Sequence, residues 1–174
     1  MTMTRLDATH LETLSPATET AVKEMIRRNL STYEEAGSVL ASMFRRLNDF
    51  GRVYGATGAR YFVLRDDADG PVVGGAGLGG LAGLPPSEGI GEVRDLVIEK
   101  SHRGRGLGAL LLRHCIGEAK ALGYRRLYLE TTPTMESAQK LFTRFGFRPV
   151  TPNERNVGAG GNAPVPCYYI LETL

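Results

Sequence analysis

The sequence contains no tryptophan and only two cysteines, Cys115 and Cys167, which are far apart and form no CxxC pair. It also lacks any run of about 18 apolar residues, so no segment is predicted to span a membrane. The first 30 residues contain no apolar stretch of the kind found in a secretory leader. Together these absences exclude a disulfide framework and predict a cytoplasmic protein with two reduced thiols.

Neither sign of charge dominates the chain. Its 21 lysines and arginines and 19 aspartates and glutamates leave a net charge of +2. A dedicated nucleic-acid-binding protein has a strong basic excess, so that class is not predicted. No Cys, His, Asp and Glu residues have metal-ligand spacing, so no metal site is predicted. The length of 174 residues and the hydrophobic content of 42% fit one globular domain over residues 1–174.

The spacing of apolar residues predicts two helices, then a β-hairpin, and then strand, helix, strand, helix and strand. The predicted helices begin after Ser15, continue in a second segment to Gly51, and recur over 107–122 and from Pro133 to Gly146. The predicted strands cover 60–65, 72–78, 92–98, 127–131 and 167–171. This order predicts an α/β (α+β) fold with a central mixed sheet flanked by helices.

Glycine is abundant, with 22 residues in 174, where the usual share is about 7%. Residues 75–80 (GAGLGG) match the GxGxxG pattern of dinucleotide-binding proteins and follow a predicted strand. That fingerprint requires a helix at this point, which Pro85, Pro86 and the glycines up to Gly91 disfavour. The stretch is therefore interpreted as a flexible, closely packed arm of the hairpin, and a nicotinamide site is not predicted.

A candidate anion site follows the strand that ends at Ile98. The run Arg103-Gly104-Arg105-Gly106-Leu107-Gly108 lies at the start of the helix predicted over 107–122. Free backbone N–H groups at a helix start bind anions, glycines let a pyrophosphate approach the main chain, and arginines add charged donors. The alternative is a solvated basic turn before a surface helix. The preceding strand and the long apolar helix favour the anion site.

The sequence resembles the GNAT superfamily of N-acetyltransferases over about residues 60–150. The family's cofactor motif [R/Q]-x-x-G-x-[G/A] is matched by Arg103, Gly106 and Gly108. A second signature, A-x-x-L-[YF]-x-x-x-G-F, is matched by Ala138, Leu141, Phe142, Gly146 and Phe147. The resemblance implies a GNAT-like acyltransferase fold with a V-shaped split in the sheet beside Val97-Ile98, and acetyl-CoA as the cosubstrate.

The resemblance also implies roles for individual residues. Leu96-Val97-Ile98 corresponds to the bulged strand whose backbone pairs with the pantetheine arm, and a main-chain N–H there would hold the oxyanion. The run Arg103–Gly108 would hold the pyrophosphate. Phe142 stands where many members carry a tyrosine that protonates the departing thiolate, and Met135 where many carry an asparagine. A thiolate whose acid has a pKa of roughly 8.5 departs without much help, and water or Tyr128 could act in place of that tyrosine.

The implied reaction is attack by an amine of a small molecule or peptide on acetyl-CoA. An alkyl ammonium has a pKa near 10.4, so a base must first remove a proton, directly or through water. Glu92 is the first candidate, because it shares a face of the cofactor strand with Ile98. Glu130, at the end of the neighbouring strand, is the second and Asp95 is the third. Each could instead be a strand-end charge paired with an arginine such as Arg94.

Several other residues have two interpretations. His102 could contact the cofactor or be an ordinary exposed residue, and Tyr33-Glu34-Glu35 could line a pocket for a cationic amine or form an exposed loop. Cys115 falls on an apolar helical stripe and is predicted to lie in the core. The alternative function is a non-catalytic acyl-CoA-binding sensor or interaction module, favoured by the two departures from the family pattern. The sequence leaves the acceptor unspecified and a homodimer open.

Overall fold

A computed structural model describes residues 9–30, 37–150 and 167–174 of the chain, with the backbone alone for 37–40. The strands are β1 (His10–Thr13), β2 (Arg60–Arg65), β3 (Val72–Gly80), β4 (Ile90–Ile98), β5 (Arg126–Thr131), β6 (Arg148–Pro149) and β7 (Cys167–Leu171). The helices are α1 (Pro16–Leu30), α2 (Gly37–Asn48), α3 (Phe50–Tyr54), α4 (Leu107–Ala121) and α5 (Glu136–Arg144). Within the described residues the strands form one sheet in the order β1-β2-β3-β4-β5-β7-β6, in which only β4 and β5 are parallel neighbours.

This architecture confirms the predicted mixed sheet flanked by helices, with differences at the edges of elements. The strands β1 and β6 were not predicted, because β1 is a half-exposed polar segment at the sheet edge and β6 has only two residues. The loop expected over 79–91 is shorter, since β3 continues to Gly80 and β4 begins at Ile90. The last helix begins at Glu136 rather than at Pro133.

One face of the sheet packs against α4 and α5. The buried residues of α4 are Leu107, Leu111, Leu112, Cys115 and Ala119, and they contact an apolar sheet surface that includes Phe62, Leu64, Val93, Leu127 and Leu129. Cys115 is fully buried, which confirms its predicted place in the core. Burial raises the pKa of its thiol to about 12, so Cys115 is a core residue rather than a nucleophile.

The opposite face packs against α1, α2 and α3. Its core contains Val22, Met25, Ile26, Leu30, Met43, Leu47, Phe50 and Tyr54 from the helices, and Tyr61, Val63, Val72 and Val97 from the strands. The two faces of the sheet therefore carry two separate apolar cores. No helix in the described part of the chain is both long and apolar enough to cross a bilayer.

Three glycines of β3, which we call the glycine stripe, are Gly75, Gly77 and Gly79. They share one face of the strand because side-chain directions alternate along it. A Cβ at any of them would overlap a neighbouring side chain, and these neighbours are Tyr61, Tyr54 and Arg94 in that order. The stripe therefore lets two rings and a guanidinium group lie directly on the strand. All nine residues of β3 are buried, which confirms the close packing predicted for this glycine-rich run, and a turn rather than an α-helix follows it.

The sheet opens between β4 and β5. The two strands pair in parallel from Ile90 opposite Arg126 to Val93 opposite Leu129, and the pairing ends there. The remaining residues of β4, 94–98, continue beside β3 alone. This is the V-shaped split that the family resemblance implied.

A β-bulge lies at the opening of the split, but upstream of the expected place. Opposite β3, the register passes from Arg94–Gly77 to Val97–Gly75, so β4 carries one extra residue between Arg94 and Val97. Asp95 adopts a φ of 52°, which places the bulge at Asp95-Leu96 rather than at Val97-Ile98. The shift has a physical reason, because aspartate tolerates the left-handed region far better than valine or isoleucine.

Candidate active site

The run Arg103–Gly108 forms an open loop at the start of α4. Gly104 has a φ of 75° and Gly106 a φ of 80°, which glycine adopts without strain. A Cβ added at either glycine would find no neighbouring heavy atom within 4 Å among the described residues, so the main chain is open to solvent. The first N–H groups of an α-helix have no partner within the helix, so this loop offers donors to an anion.

The side chain of Arg103, the first residue of the cofactor motif, turns back toward the protein. Its Nε donates to the carbonyl oxygen of Ile98 at 3.1 Å, and its Nη2 donates to Oδ1 of Asn29 at 3.3 Å. The backbone N–H of Lys100 donates to the same Asn29 oxygen at 3.0 Å. Asn29 is a buried residue of α1, so its side chain ties that helix to the loop. Sequence analysis missed Asn29, although an asparagine on the apolar face of a helix is a recognisable signal.

The other predicted residues of the loop offer different groups. Leu107 is buried in the core, so only its main chain remains for a ligand, whereas Gly108 is half-buried. Arg105 Nη2 lies 3.4 Å from Oδ1 of Asp66, and His102 Nε2 lies 3.6 Å from Oδ2 of the same carboxylate. Asp66 lies in the turn between β2 and β3. His102, which packs beside it, is half-buried rather than fully exposed.

The edge of β4 over 94–98 faces the split. Leu96 is half-buried, whereas Val97 and Ile98 are buried in the two different cores of the protein. Beyond Val93 these residues have no partner in β5. An edge without a strand partner can pair with the amides of an extended ligand, although the carbonyl oxygen of Ile98 already accepts from Arg103 and that of Asp95 from Tyr61.

Glu92 lies on β4 just before the split and is paired. Its side chain is 15% exposed, and Nη1 of Arg94 donates to its Oε2 at 3.2 Å. Burial raises the pKa of Glu92, while the charges of Arg94 and Arg46 oppose that rise. The pairing with Arg94 confirms the strand-end interpretation, whereas the role of Glu92 as base stays a prediction. The expected shared face with Ile98 is wrong, because the extra residue in β4 places Val93 and Ile98 in the same core and so puts Glu92 on the opposite face from Ile98.

Glu130 shares the sheet face of Glu92. Tyr128 is opposite Glu92 in the parallel register and Glu130 is two residues further along β5, so the side-chain alternation places all three together. Burial raises the pKa of Glu130, and the negative charge of Glu92 raises it further. Among the described residues Glu130 has no ion pair. The ring of Tyr128 stacks on that of Tyr168 of β7, with centroids 5.6 Å apart.

Asp95, the third candidate base, is bound on all sides. Nε and Nη2 of Arg46 donate to Oδ2 and Oδ1 of Asp95 at 2.8 and 2.6 Å, and the hydroxyl of Tyr54 donates to Oδ2. The hydroxyl of Tyr61 donates to the Asp95 carbonyl oxygen at 3.2 Å. Burial, and then the charge of Asp95, raise the pKa of Tyr54. Asp95 is thus a structural carboxylate, and sequence analysis did not single out Arg46 or Tyr54.

Comparison with known proteins decides the family. The family model described as acetyltransferase (GNAT) family matches residues 22–147. The chain belongs to this family. It is 33% identical to the uncharacterized N-acetyltransferase YjgM of Escherichia coli (strain K12) over 101 residues, and these residues make up 58% of each of the two chains. It is 39% identical over 75 residues to the uncharacterized N-acetyltransferase YsnE of Bacillus subtilis (strain 168), 42% of this chain and 48% of that one. The match thus spans about half the length of these curated relatives.

The solved structures support the GNAT fold over nearly the whole chain. The structure of yncA from Salmonella typhimurium with its cofactor acetyl-CoA has a TM-score of 0.72 to this chain at 19% identity, covering 95% of this chain and 94% of that one. At this identity the likeness shows the fold. Acetyl-CoA is the cosubstrate of the GNAT family, as the sequence motifs implied.

The described residues of this GNAT chain fit that cosubstrate. The open main chain at Gly104 and Gly106 leaves room where a side chain would stand, and the edge of 94–98 has no strand partner in β5. The loop start at α4 supplies N–H donors suited to a pyrophosphate. These are the two parts of the site that the resemblance assigned to the cosubstrate.

The GNAT pattern is incomplete at two positions, one in α5 and one just before it. Phe142 is buried, and the centroid of its ring lies 6.2 Å from that of Phe147 and 5.9 Å from that of Tyr169. A phenyl ring has no acidic proton, so it cannot protonate the thiolate. Met135 is the half-buried residue that precedes the helix. The run Tyr33-Glu34-Glu35, considered above for the acceptor pocket, lies outside the described residues. In the part of the chain that the structure describes, no group of three or more His, Cys, Asp or Glu side chains could hold a metal ion.

Proposed function

We propose that this GNAT chain transfers the acetyl group of acetyl-CoA to a primary amine of a small molecule or peptide. Three features of the described structure, grouped around the split between β4 and β5, support the proposal, and the hydrogen bond from Arg103 to the Ile98 carbonyl joins the loop to the end of β4. The three features are the edge at 94–98 without a partner in β5, the open loop at 103–108, and a sheet face with two partly buried carboxylates, Glu92 and Glu130. A cosubstrate and an amine could therefore approach each other from the two sides of the split.

Main-chain groups would hold the cosubstrate. Within the run Arg103–Gly108, the N–H groups after Arg103, whose own N–H donates to the Lys100 carbonyl, would bind the pyrophosphate, with Arg105 adding positive charge. The edge of Leu96–Ile98 would pair with the pantetheine amides. When bound, acetyl-CoA supplies a thioester carbonyl that an amine can attack. A main-chain N–H of the bulged strand would stabilise the oxyanion that develops there.

We infer that Glu92 is the base that accepts the ammonium proton, directly or through water. Burial raises its pKa, which makes it a stronger proton acceptor than an exposed glutamate. Glu130 is the second candidate, favoured by having no ion pair among the described residues. Tyr128, beside Glu92 in the register, would protonate the thiolate that Phe142 cannot.

A non-catalytic acyl-CoA-binding module is the second candidate function. The buried phenyl ring at Phe142 favours it, because the usual proton donor is missing. A thiolate whose acid has a pKa of roughly 8.5 leaves without strong acid catalysis, so this loss does not prevent turnover. We therefore prefer the enzyme.

Thermal melting with and without acetyl-CoA tests the binding site first. At one hundred times the dissociation constant, binding should add about 2.7 kcal/mol, or roughly 5–10 °C for a domain of this size. Gly106→Trp should abolish the shift. Gly83→Trp is the matched control, because Gly83 has a similar φ of 78° and equally open surroundings far along the chain. A folded wild-type chain that shows no shift at millimolar acetyl-CoA would refute the site.

Thiol release over a panel of amines then tests the reaction. Turnover with any amine would exclude the non-catalytic module, whereas binding without turnover of any amine would support it. We further propose, on the sequence grounds given above, a single domain over residues 1–174 and a cytoplasmic location. Light scattering tests whether the chain forms the homodimer that the sequence leaves open.

A further inference from the structure

The bulge of β4 is held by three side chains from outside the strand. The Asp95 carboxylate is fully buried and accepts two hydrogen bonds from Arg46 and one from Tyr54, while its carbonyl oxygen accepts one from Tyr61. A buried carboxylate is tolerated only with a charged partner and satisfied lone pairs, and both conditions are met here. The left-handed backbone of Asp95 is thus fixed by its own side chain.

These contacts come from the layer of helices on one side of the sheet. Arg46 belongs to α2 and Tyr54 to α3, and Tyr54 packs edge-on against Phe50 with centroids 4.8 Å apart. The ring centroid of Tyr61, in β2, lies 5.0 Å from the ring centroid of Tyr54. The glycine stripe gives both tyrosine rings room to lie on β3 and reach Asp95. The position of the bulge is therefore coupled to α2 and α3.

Arg46 also acts on the carboxylates at the split. Its positive charge opposes the rise in the pKa of both Glu92 and Glu130. The other charged groups around Glu92 are Arg94, which donates to it, Asp95, whose negative charge raises its pKa, and Glu130, which shares its sheet face and interacts with its charge. Burial lowers the pKa of Arg46, whereas the hydrogen bonds and the charge of Asp95 raise it. The net result is a raised pKa, so the guanidinium stays charged.

We propose that Arg46, Asp95 and Tyr54 form a positioning device through which α2 and α3 fix the bulge of β4 and hold the charge of Arg46 at Asp95, three residues after Glu92 on the same strand. In its functional part this inference rests on the proposed function, since Glu92 and Glu130 are there assigned the proton of the amine. The device consists of positioning residues: they act through the strand and through charge.

A carboxyl titration tests the device without any activity. We would follow the carboxyl carbons of 13C-labelled glutamates by NMR, with the Glu92 signal assigned by its loss in Glu92→Gln. In Arg46→Gln the midpoint of Glu92 should move to higher pH, because a positive neighbour is removed. In Asp95→Asn it should move to lower pH, because a negative neighbour is removed.

Arg45→Gln is the matched control for charge. Arg45 neighbours Arg46 on the same helix, but its guanidinium is exposed and donates to Ser42 Oγ at 2.9 Å, so the Glu92 midpoint should stay unchanged. Shifts of Arg46→Gln and Asp95→Asn in the same direction, or no shift in either, would overturn the proposal. A purely structural role would expose Glu92 in both variants and move both midpoints toward the ordinary value.

Two milder variants keep the test open if the first pair fails to fold. Arg46→Lys retains the charge and Tyr54→Phe retains the ring, so in both the Glu92 midpoint should stay near that of the wild type. In a turnover assay both should lower kcat by about tenfold or more, with KM for acetyl-CoA within about twofold, because a shifted bulge misaligns the reacting groups. Unchanged kcat in both would refute the positioning role. A wild-type chain without turnover would end the proposed function while the titration remained interpretable.

Discussion

Two glutamates on one sheet face differ in what surrounds them. Glu92 is bound to Arg94, whereas Glu130 has no ion pair among the described residues. Burial raises the pKa of both above the ordinary glutamate value of about 4.3. A base works only when it is deprotonated, so kcat/KM should fall as the pH drops through this raised pKa. The fall of kcat/KM on the acidic side of the pH profile should therefore occur at a higher pH than an exposed glutamate would give.

Glu92→Gln should lower turnover at pH 7 by about a hundredfold or more and leave the affinity for acetyl-CoA nearly intact. The reason is that the amide cannot accept the ammonium proton, while the loop at Gly104 and Gly106 is untouched. Steady-state kinetics and calorimetry measure the two quantities. Glu88→Gln, at an exposed residue before the same strand, is the control. Full activity of Glu92→Gln together with an inactive Glu130→Gln would assign the base to Glu130.

The proton donor can be tested by rescue. Tyr128→Phe should lower kcat severalfold, because the residue opposite Glu92 in the register loses its hydroxyl. Phe142→Tyr in that background should restore it, since it returns a hydroxyl to the position that the family resemblance assigns to the acid. Tyr168→Phe keeps the ring that stacks on Tyr128 and should have little effect. Equal rates in the wild type and Tyr128→Phe would show that the thiolate departs without a proton from Tyr128.

At the scale of elements, the amide of Asn29 joins α1 to the segment between β4 and α4. Asn29 Nδ2 donates to the Met25 carbonyl at 2.9 Å and to Glu99 Oε2 at 3.0 Å, and its Oδ1 accepts from Lys100 and Arg103. Asn29→Asp retains the acceptor oxygen but places a second carboxylate beside Glu99. We expect a loss of about 1–3 kcal/mol of unfolding free energy and weaker acetyl-CoA binding.

Glu99→Gln should recover part of that loss in the double variant, because it removes the repulsion between the two carboxylates. A double-mutant cycle from thermal melts measures the coupling between positions 29 and 99. Additive effects, with no coupling energy, would show that the Asn29 contacts to Glu99 contribute nothing to holding the loop.

The glycine stripe makes a second prediction at this scale. A Cβ at Gly77 would overlap the ring of Tyr54, so Gly77→Ala must displace that ring and its hydroxyl from Asp95. Overpacking of this kind costs about 1–3 kcal/mol, and turnover should fall with it. Gly117→Ala is the control, because a Cβ there meets nothing within 4 Å and alanine stabilises a helix by up to about 1 kcal/mol. We therefore expect Gly77→Ala to lower the melting temperature and Gly117→Ala to raise it.

Viewed as a whole molecule, the elements were largely predictable and the contacts between them were not. Apolar periodicity located α4, and the motif around Gly106 indicated the loop, because both are local properties of the chain. The bulge depends on which residue tolerates a left-handed backbone opposite β3, so the family resemblance, which located the bulged strand at Leu96-Val97-Ile98, did not identify Asp95. Arg46 was not singled out from the sequence, because its partner Asp95 is 49 residues away and only the fold brings them together.

The polar ties of the molecule predict that cosubstrate binding is felt across the sheet. Asn29 joins α1 to the loop, and Arg46 and Tyr54 join α2 and α3 to the bulge, so a ligand that orders the split should also restrain these helices. In hydrogen exchange over minutes to hours, acetyl-CoA should slow the amides of 41–54 as well as those of 94–112. In Tyr54→Phe the protection of 41–54 should weaken while that of 94–112 remains. Protection confined to 94–112 in the wild type would show that the helices do not respond to the ligand.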